Sequence, residues 1–164
     1  MGRESNHVPA YDVVTGTTDF ASAKTIGERA DCSTDGARSA LTQLVEMGIA
    51  ERRGTRPAEY RRNDSYFRWK RIETLAREHS TADLREEVDA LLAEDQSFQD
   101  RFDAPSPDAI SPATFEDIDH EDVHDRWDAL TRWRSVRDHL EILQQAIHRA
   151  ERDADGRTGE SASA

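Results

Sequence analysis

The chain has 164 residues, with 34 acidic side chains against 22 basic ones and a formal charge of −12, which taken alone argues against a polyanionic partner. A single cysteine, Cys32, excludes an intrachain disulfide framework and a cysteine-rich zinc site. No stretch approaches the length and apolarity of a transmembrane span, and the N-terminus lacks a signal peptide's apolar core, so the expectation is a cytoplasmic protein with no membrane partner.

Residues 1–7 read as polar and loose. Val8, Tyr11, Val14 and Val13 suit one face of a short helix that Gly16 would end, and Phe20 falls in a connection. A second helix opens at Ser22 or Ala23 and runs through Ala30. Asp31-Cys32-Ser33 makes a tight link, and the Ser33 hydroxyl can cap a third helix from Thr34. That helix turns Ala37, Leu41, Leu44 and Val45 inward and leaves Thr34, Asp35, Arg38, Ser39 and Thr42 on the other side, with Gly48 as its left-handed stop. Residues 49–53 and 59–62 can then pair as a hairpin around Gly54-Thr55-Arg56-Pro57-Ala58.

A fourth helix follows Asn63-Asp64-Ser65 and runs to His79. A fifth starts near Asp83 and carries Leu84, Val88, Leu91, Leu92, Phe98 and Phe102. Residues 103–120, with Pro105, Pro107 and Pro112, read as a loop that Phe115 and Ile118 pin. The last helix begins among acidic residues at 119–122, which suit a helix N-terminus. Val123, Trp127, Leu130, Trp133, Val136, Leu140, Leu143 and Ile147 form a continuous apolar stripe along it, to be covered by the 81–102 helix or by a second copy of the chain. Residues 154–164 read as a disordered tail.

The charge is unevenly placed. Residues 1–70 hold 11 basic and 10 acidic groups, whereas residues 71–164 hold 11 and 24. Residues 51–71 alone carry eight basic against three acidic groups, a basic edge on an acidic body. Only Lys24 and Lys70 are lysines, and that composition resembles the proteins of salt-in halophiles, haloarchaea above all. In molar salt the Debye length is only about 3 Å, so the acidic body barely repels DNA beyond contact distance.

Residues 22–70, through Cys32-Ser33, Ala37-Arg38, Leu41, Leu44, Met47-Gly48-Ile49, Glu51-Arg52-Arg53 and Glu59-Tyr60-Arg61-Arg62, resemble winged helix-turn-helix regulators of the ArsR-like and MarR-like kind. With Tyr66-Phe67-Arg68-Trp69 and the long acidic helices that follow, the arrangement is similar to an uncharacterised winged-helix family common in haloarchaea. The resemblance implies a DNA-binding transcriptional regulator whose third helix enters the major groove, with Thr34, Arg38, Ser39 and Thr42 near the bases. Arg52, Arg53, Arg56, Arg61 and Arg62 would be wing and phosphate contacts, and the plainer expectation is that two of these five are solvated or paired with acidic neighbours instead. Gly36 and Ala40 stand where related helices carry larger polar side chains, and Asp35 puts an acid on the presumed DNA side.

Other motifs are weaker. His120-Glu121-Asp122-Val123-His124 matches the HExxH pattern of zinc proteases, with Glu141 as a third ligand, but it stands at an acidic helix start with no strand-built cleft. Cys32 lies before the third helix, where a thiol could be activated; a small residue packed under the turn is the plainer account. Trp69, Trp127 and Trp133 suit a dimer interface better than a ligand pocket.

The expected fold is mainly α with a small β-hairpin wing: a winged helix-turn-helix domain at 8–63, a helical dimerisation extension at 64–153, and the tail. The expected activity is binding of double-stranded DNA by a homodimer, with no enzymatic step, no cofactor and no metal, and with any effector binding in the extension. The alternative is a winged helix that has lost DNA binding and docks a protein partner.

Overall fold

The computed structural model describes residues 7–116 and 118–160. Residues 1–6 of the expected loose N-terminus and 161–164 of the expected tail lie outside them. The chain divides into two compact units, Met1–Trp69 and Lys70–Ala164.

The first unit holds α1 (His7–Thr15), β1 (Ala21–Ser22), α2 (Ala23–Arg29), α3 (Thr34–Glu46), β2 (Ala50–Arg53), β3 (Glu59–Arg62) and the start of α4 (Asp64–Glu78). This is a winged helix-turn-helix. Two serines set its helix starts: Ser22 Oγ accepts from Thr25 N at 3.2 Å, and Ser33 Oγ accepts from Gly36 N at 3.0 Å. Between α2 and α3 the chain turns with Asp31 in the left-handed region (φ 54°) while Cys32 N donates to Gly27 O at 2.9 Å. The two helices meet at Gly27, where a Cβ would lie 3.1 Å from Cys32 O and 3.3 Å from Ala37 Cβ. Val14, Ile26, Leu41, Leu44, Ile49 and Tyr60 form the core, with Tyr66 and Phe67 of α4 packed against it. Ala40 also turns inward, only 1% exposed, so it is a core residue and not a gap on the outer face of α3.

Gly48 (φ 78°) ends α3 with two reversed bonds, Gly48 N to Val45 O at 3.0 Å and Ile49 N to Leu44 O at 2.9 Å. These return Ile49 to the core beside Leu44 and start β2 in register. A Cβ at Gly48 would meet nothing within 4 Å, so the cost of Gly48→Ala is backbone strain alone, about 1 kcal/mol. Thermal unfolding checks this: Gly48→Asn should fall between the two, and an alanine variant as stable as wild type would contradict it.

The sheet is antiparallel in the order β1-β3-β2. The two-residue strand β1 was not expected; Ala21 and Ser22 pair with Tyr60 and Glu59. In the hairpin, Ala50 opposes Arg62, Glu51 opposes Arg61, Arg52 opposes Tyr60 and Arg53 opposes Glu59. Side chains alternate across a sheet, so Arg52 shares a face with buried Ala50 and Tyr60, while Arg53 and Arg61 lie on the other.

The second unit holds the end of α4, α5 (Thr81–Phe102) and α6 (His120–Glu160), with short 3-10 turns at Pro107–Ala109 and Pro112–Phe115. Ser80 caps α5 by accepting from Asp83 N at 3.1 Å. From Val136 onward the α6 stripe is covered within the chain: Val136, Leu140, Leu143 and Ala146 pack with Leu84 and Leu91 of α5, and Ile72, Leu75 and Ala76 of α4 join them, whereas Trp127 nearer its start stays 50% exposed. Of the two coverings expected, α5 is the one observed. Trp133 is fully buried, stacked with Phe98 and Phe102 at 5.9 and 5.7 Å between centroids, so it belongs to this core and not to a dimer interface. The helix also continues through residues 154–160, where a disordered tail was expected.

An acid sits inside this apolar layer. Asp95, 7% exposed, accepts from Trp133 Nε1 at 2.6 Å, Arg137 Nε at 2.8 Å and Gln99 Nε2 at 2.6 Å. Burial alone would raise its carboxyl, but the bonds from Arg137, Trp133 and Gln99 and the charge of Arg137 outweigh that and hold it below the usual carboxylate range. Arg137 also donates to Pro105 O, which ties the start of the 103–119 connection to α6.

Candidate nucleic-acid interface

The outer face of α3, the start of α2 and the hairpin enclose one open cleft of about 400 Å³. Thr34, Arg38 and Thr42, at helical spacing on α3, line one wall. Arg52 and Thr55 of the hairpin line the other, and Ser22 and Lys24 close an end. Three cations and four aliphatic hydroxyls border this space, and no carboxylate does.

Four of the nine expected DNA contacts, Thr34, Arg38, Thr42 and Arg52, therefore share one cleft. Ser39 is exposed on α3 outside the lining, and Arg56 is exposed at the hairpin tip. Arg38 pairs with Asp35 at 2.9 Å on the exposed surface, so Asp35 holds the guanidinium at the mouth of the cleft. Thr42 Oγ1 donates its proton to Arg38 O at 2.9 Å, which leaves the hydroxyl only its acceptor capacity for other partners.

The other three wing arginines are engaged. Arg53 pairs with Glu59 at 2.7 Å and Arg61 with Glu51 at 2.8 Å, and both guanidiniums lie over the Phe20 ring, 4.2 and 4.4 Å from its centroid. Arg62 points inward, donates to Thr15 O at 2.7 Å, pairs with Asp64 at 2.8 Å and covers the Phe67 ring. Three of the five are thus paired, one more than expected, because the hairpin register sets Glu59 and Glu51 directly opposite Arg53 and Arg61. Arg52, Arg56 and Lys24 make no ion pair among the described residues.

Lys24 is the cleft residue that sequence reasoning missed. Its signal was available, since it is one of only two lysines and stands two residues after the Ser22 cap.

Glu141 does not complete the HExxH motif. His120 and His124 begin the same continuous helix that carries Glu141, which places that glutamate about 25 Å farther along at 1.5 Å per residue. Among the described residues no group of three His, Cys, Asp or Glu side chains could hold a metal ion. Cys32 is half-buried in the α2–α3 turn. Trp69 is 56% exposed and Trp127 is 50% exposed, whereas Trp133 is fully buried.

Residues 9–151 match DUF7342, a family of unknown function. The chain belongs to the DUF7342 family. No curated protein and no solved structure matches it. The DUF7342 match spans both units, so the winged helix and the long helices are parts of one family pattern. No helix among the described residues of this DUF7342 chain is long and apolar enough to cross a membrane.

Proposed function

We propose that the protein binds double-stranded DNA as a cytoplasmic transcriptional regulator, related to the ArsR-like and MarR-like winged helices. The observation that carries this reading is the cleft between α3 and the hairpin, lined by Lys24, Arg38 and Arg52 and free of carboxylates in a chain of net charge −12. A DNA strand passing between a recognition helix and a wing presents phosphates to that space. Lys24 and Arg52 neutralise them, and hydroxyls such as Thr34 and Thr55 donate to phosphate oxygens. Arg38, held at the cleft mouth, reaches a guanine edge. Two copies would present two α3 helices to half-sites about 34 Å apart. Since α5 covers the α6 stripe from Trp133 onward, the second copy would bind elsewhere on the C-terminal helices.

The test is fluorescence anisotropy of the full chain on duplex DNA across a potassium chloride series, with a genome-wide binding map. Binding should weaken linearly with log salt, with a slope of about −0.9 per phosphate neutralised. Absence of binding at every salt concentration removes the reading and leaves a winged helix that docks a protein partner. Light scattering at micromolar concentration separately tests the two-copy element, which a monomer overturns.

A further inference from the structure

The second unit contains a pocket that the DNA reading does not use. Pro107, Ile110 and Phe115 from the connection before α6 face Trp127, Leu130 and Arg134 of α6 across about 240 Å³. The α6 residues recur at steps of three and four, so they form one stripe, and the two 3-10 turns roof it. Phe115 stacks on Trp127 with centroids 5.5 Å apart and planes 26° apart, so an aromatic wall already stands. Trp127 nevertheless remains 50% exposed, unlike fully buried Trp133 six residues along the same helix.

Arg134 is the only charged residue in the lining. Its neighbours Arg132 and Arg137 are paired with Glu94 and Asp95, whereas Arg134 makes no ion pair or hydrogen bond among the described residues. A lone guanidinium beside an open aromatic pocket suits a flat apolar body bearing one negative charge. The surrounding acid, 24 carboxylates against 11 basic groups in residues 71–164, disfavours phosphates and dicarboxylates. The volume lies below the roughly 300–1,000 Å³ of pockets that hold drug-sized ligands, which restricts the occupant to a single ring system.

We propose that this pocket binds a small aromatic monocarboxylate, its ring against Trp127 and Leu130 and its carboxylate on the Arg134 guanidinium. The proposal stands whether or not the chain binds DNA.

Calorimetric titration of the full chain with phenylacetate tests it, using phenylacetamide and hexanoate as controls. Phenylacetate should saturate one site per chain. Phenylacetamide, hexanoate and phenylacetate with Arg134→Gln should each bind about 10-fold more weakly, the scale of one charge-assisted contact or one aromatic contact. Trp127→Ala should abolish saturation. Both substituted side chains are exposed, so unchanged thermal unfolding should accompany the losses. The proposal is overturned by absence of saturation, by equal affinity for the amide or for hexanoate, or by binding that survives Trp127→Ala.

Discussion

Asp95→Ala is expected to lower the unfolding free energy by about 3 kcal/mol, at the low end of the loss for a broken buried charge pair because Arg137 is partly exposed and can turn to solvent. What cannot turn is Trp133, which is 0% exposed and loses the acceptor of its indole N–H. Leaving that donor unsatisfied costs about 1–3 kcal/mol by itself. Asp95→Asn should lose less, since one amide oxygen can still accept from Trp133, although its NH2 group then meets the donors of Arg137 and Gln99. Urea unfolding followed by tryptophan fluorescence measures both variants. An alanine variant within about 0.5 kcal/mol of wild type, the ordinary scatter of surface changes, would refute this account.

The same carboxyl sets a pH dependence with a definite sign. Asp95 has a folded pKa below its unfolded value near 3.9, so between the two the unfolded chain binds the extra proton and stability rises with pH. Its contribution is complete above the unfolded value and is lost as pH falls through the folded one. Glu94 adds in the same direction, because the hydrogen bond from Arg132 lowers its carboxyl. The stability gap between wild type and Asp95→Asn should therefore narrow as pH falls below about 4. A gap that is constant with pH would show that Asp95 holds its partners by shape alone.

The pattern of what the sequence disclosed has a physical cause. Local signals were legible: Ser33 as a cap, Gly48 as a left-handed stop, and the hairpin ends follow from short-range hydrogen bonding that one residue type favours. Asp95 was also within reach. Leu84, Val88, Leu91, Asp95, Phe98 and Phe102 are spaced four, three, four, three and four apart, so the acid occupies an inward position of α5. An acid at an inward position of an apolar stripe signals a buried polar contact. What was not legible depends on tertiary neighbours. Strand β1 exists only by pairing with β3, and Lys24 joins Arg38 and Arg52 only after α2 folds beside α3. Residues 154–160 read as disordered from their glycines, yet they continue a helix already long and anchored by α5.

Two variants should separate the cleft arginines from those that hold the fold. Arg38→Ala with Arg52→Ala removes two exposed cations from the cleft, and duplex DNA affinity should fall about 100-fold, at on the order of 1–3 kcal/mol per arginine. The salt slope should drop by about one for each of the two that contacts phosphate. Stability should scarcely change, because the only ion pair lost is the exposed Arg38–Asp35 contact. Arg62→Ala should behave in the opposite way. Its guanidinium holds Thr15 O, covers Phe67 and is 26% exposed, so removal strips a partner from α1 and a lid from the core. The expected cost is about 2 kcal/mol of stability, while the folded fraction binds DNA within about threefold of wild type. Thermal unfolding and anisotropy on the same preparations give both readings. Should Arg62→Ala keep its stability and lose DNA as severely as the cleft variant, the interface would extend across the inner end of the hairpin, and the cleft would not be its centre.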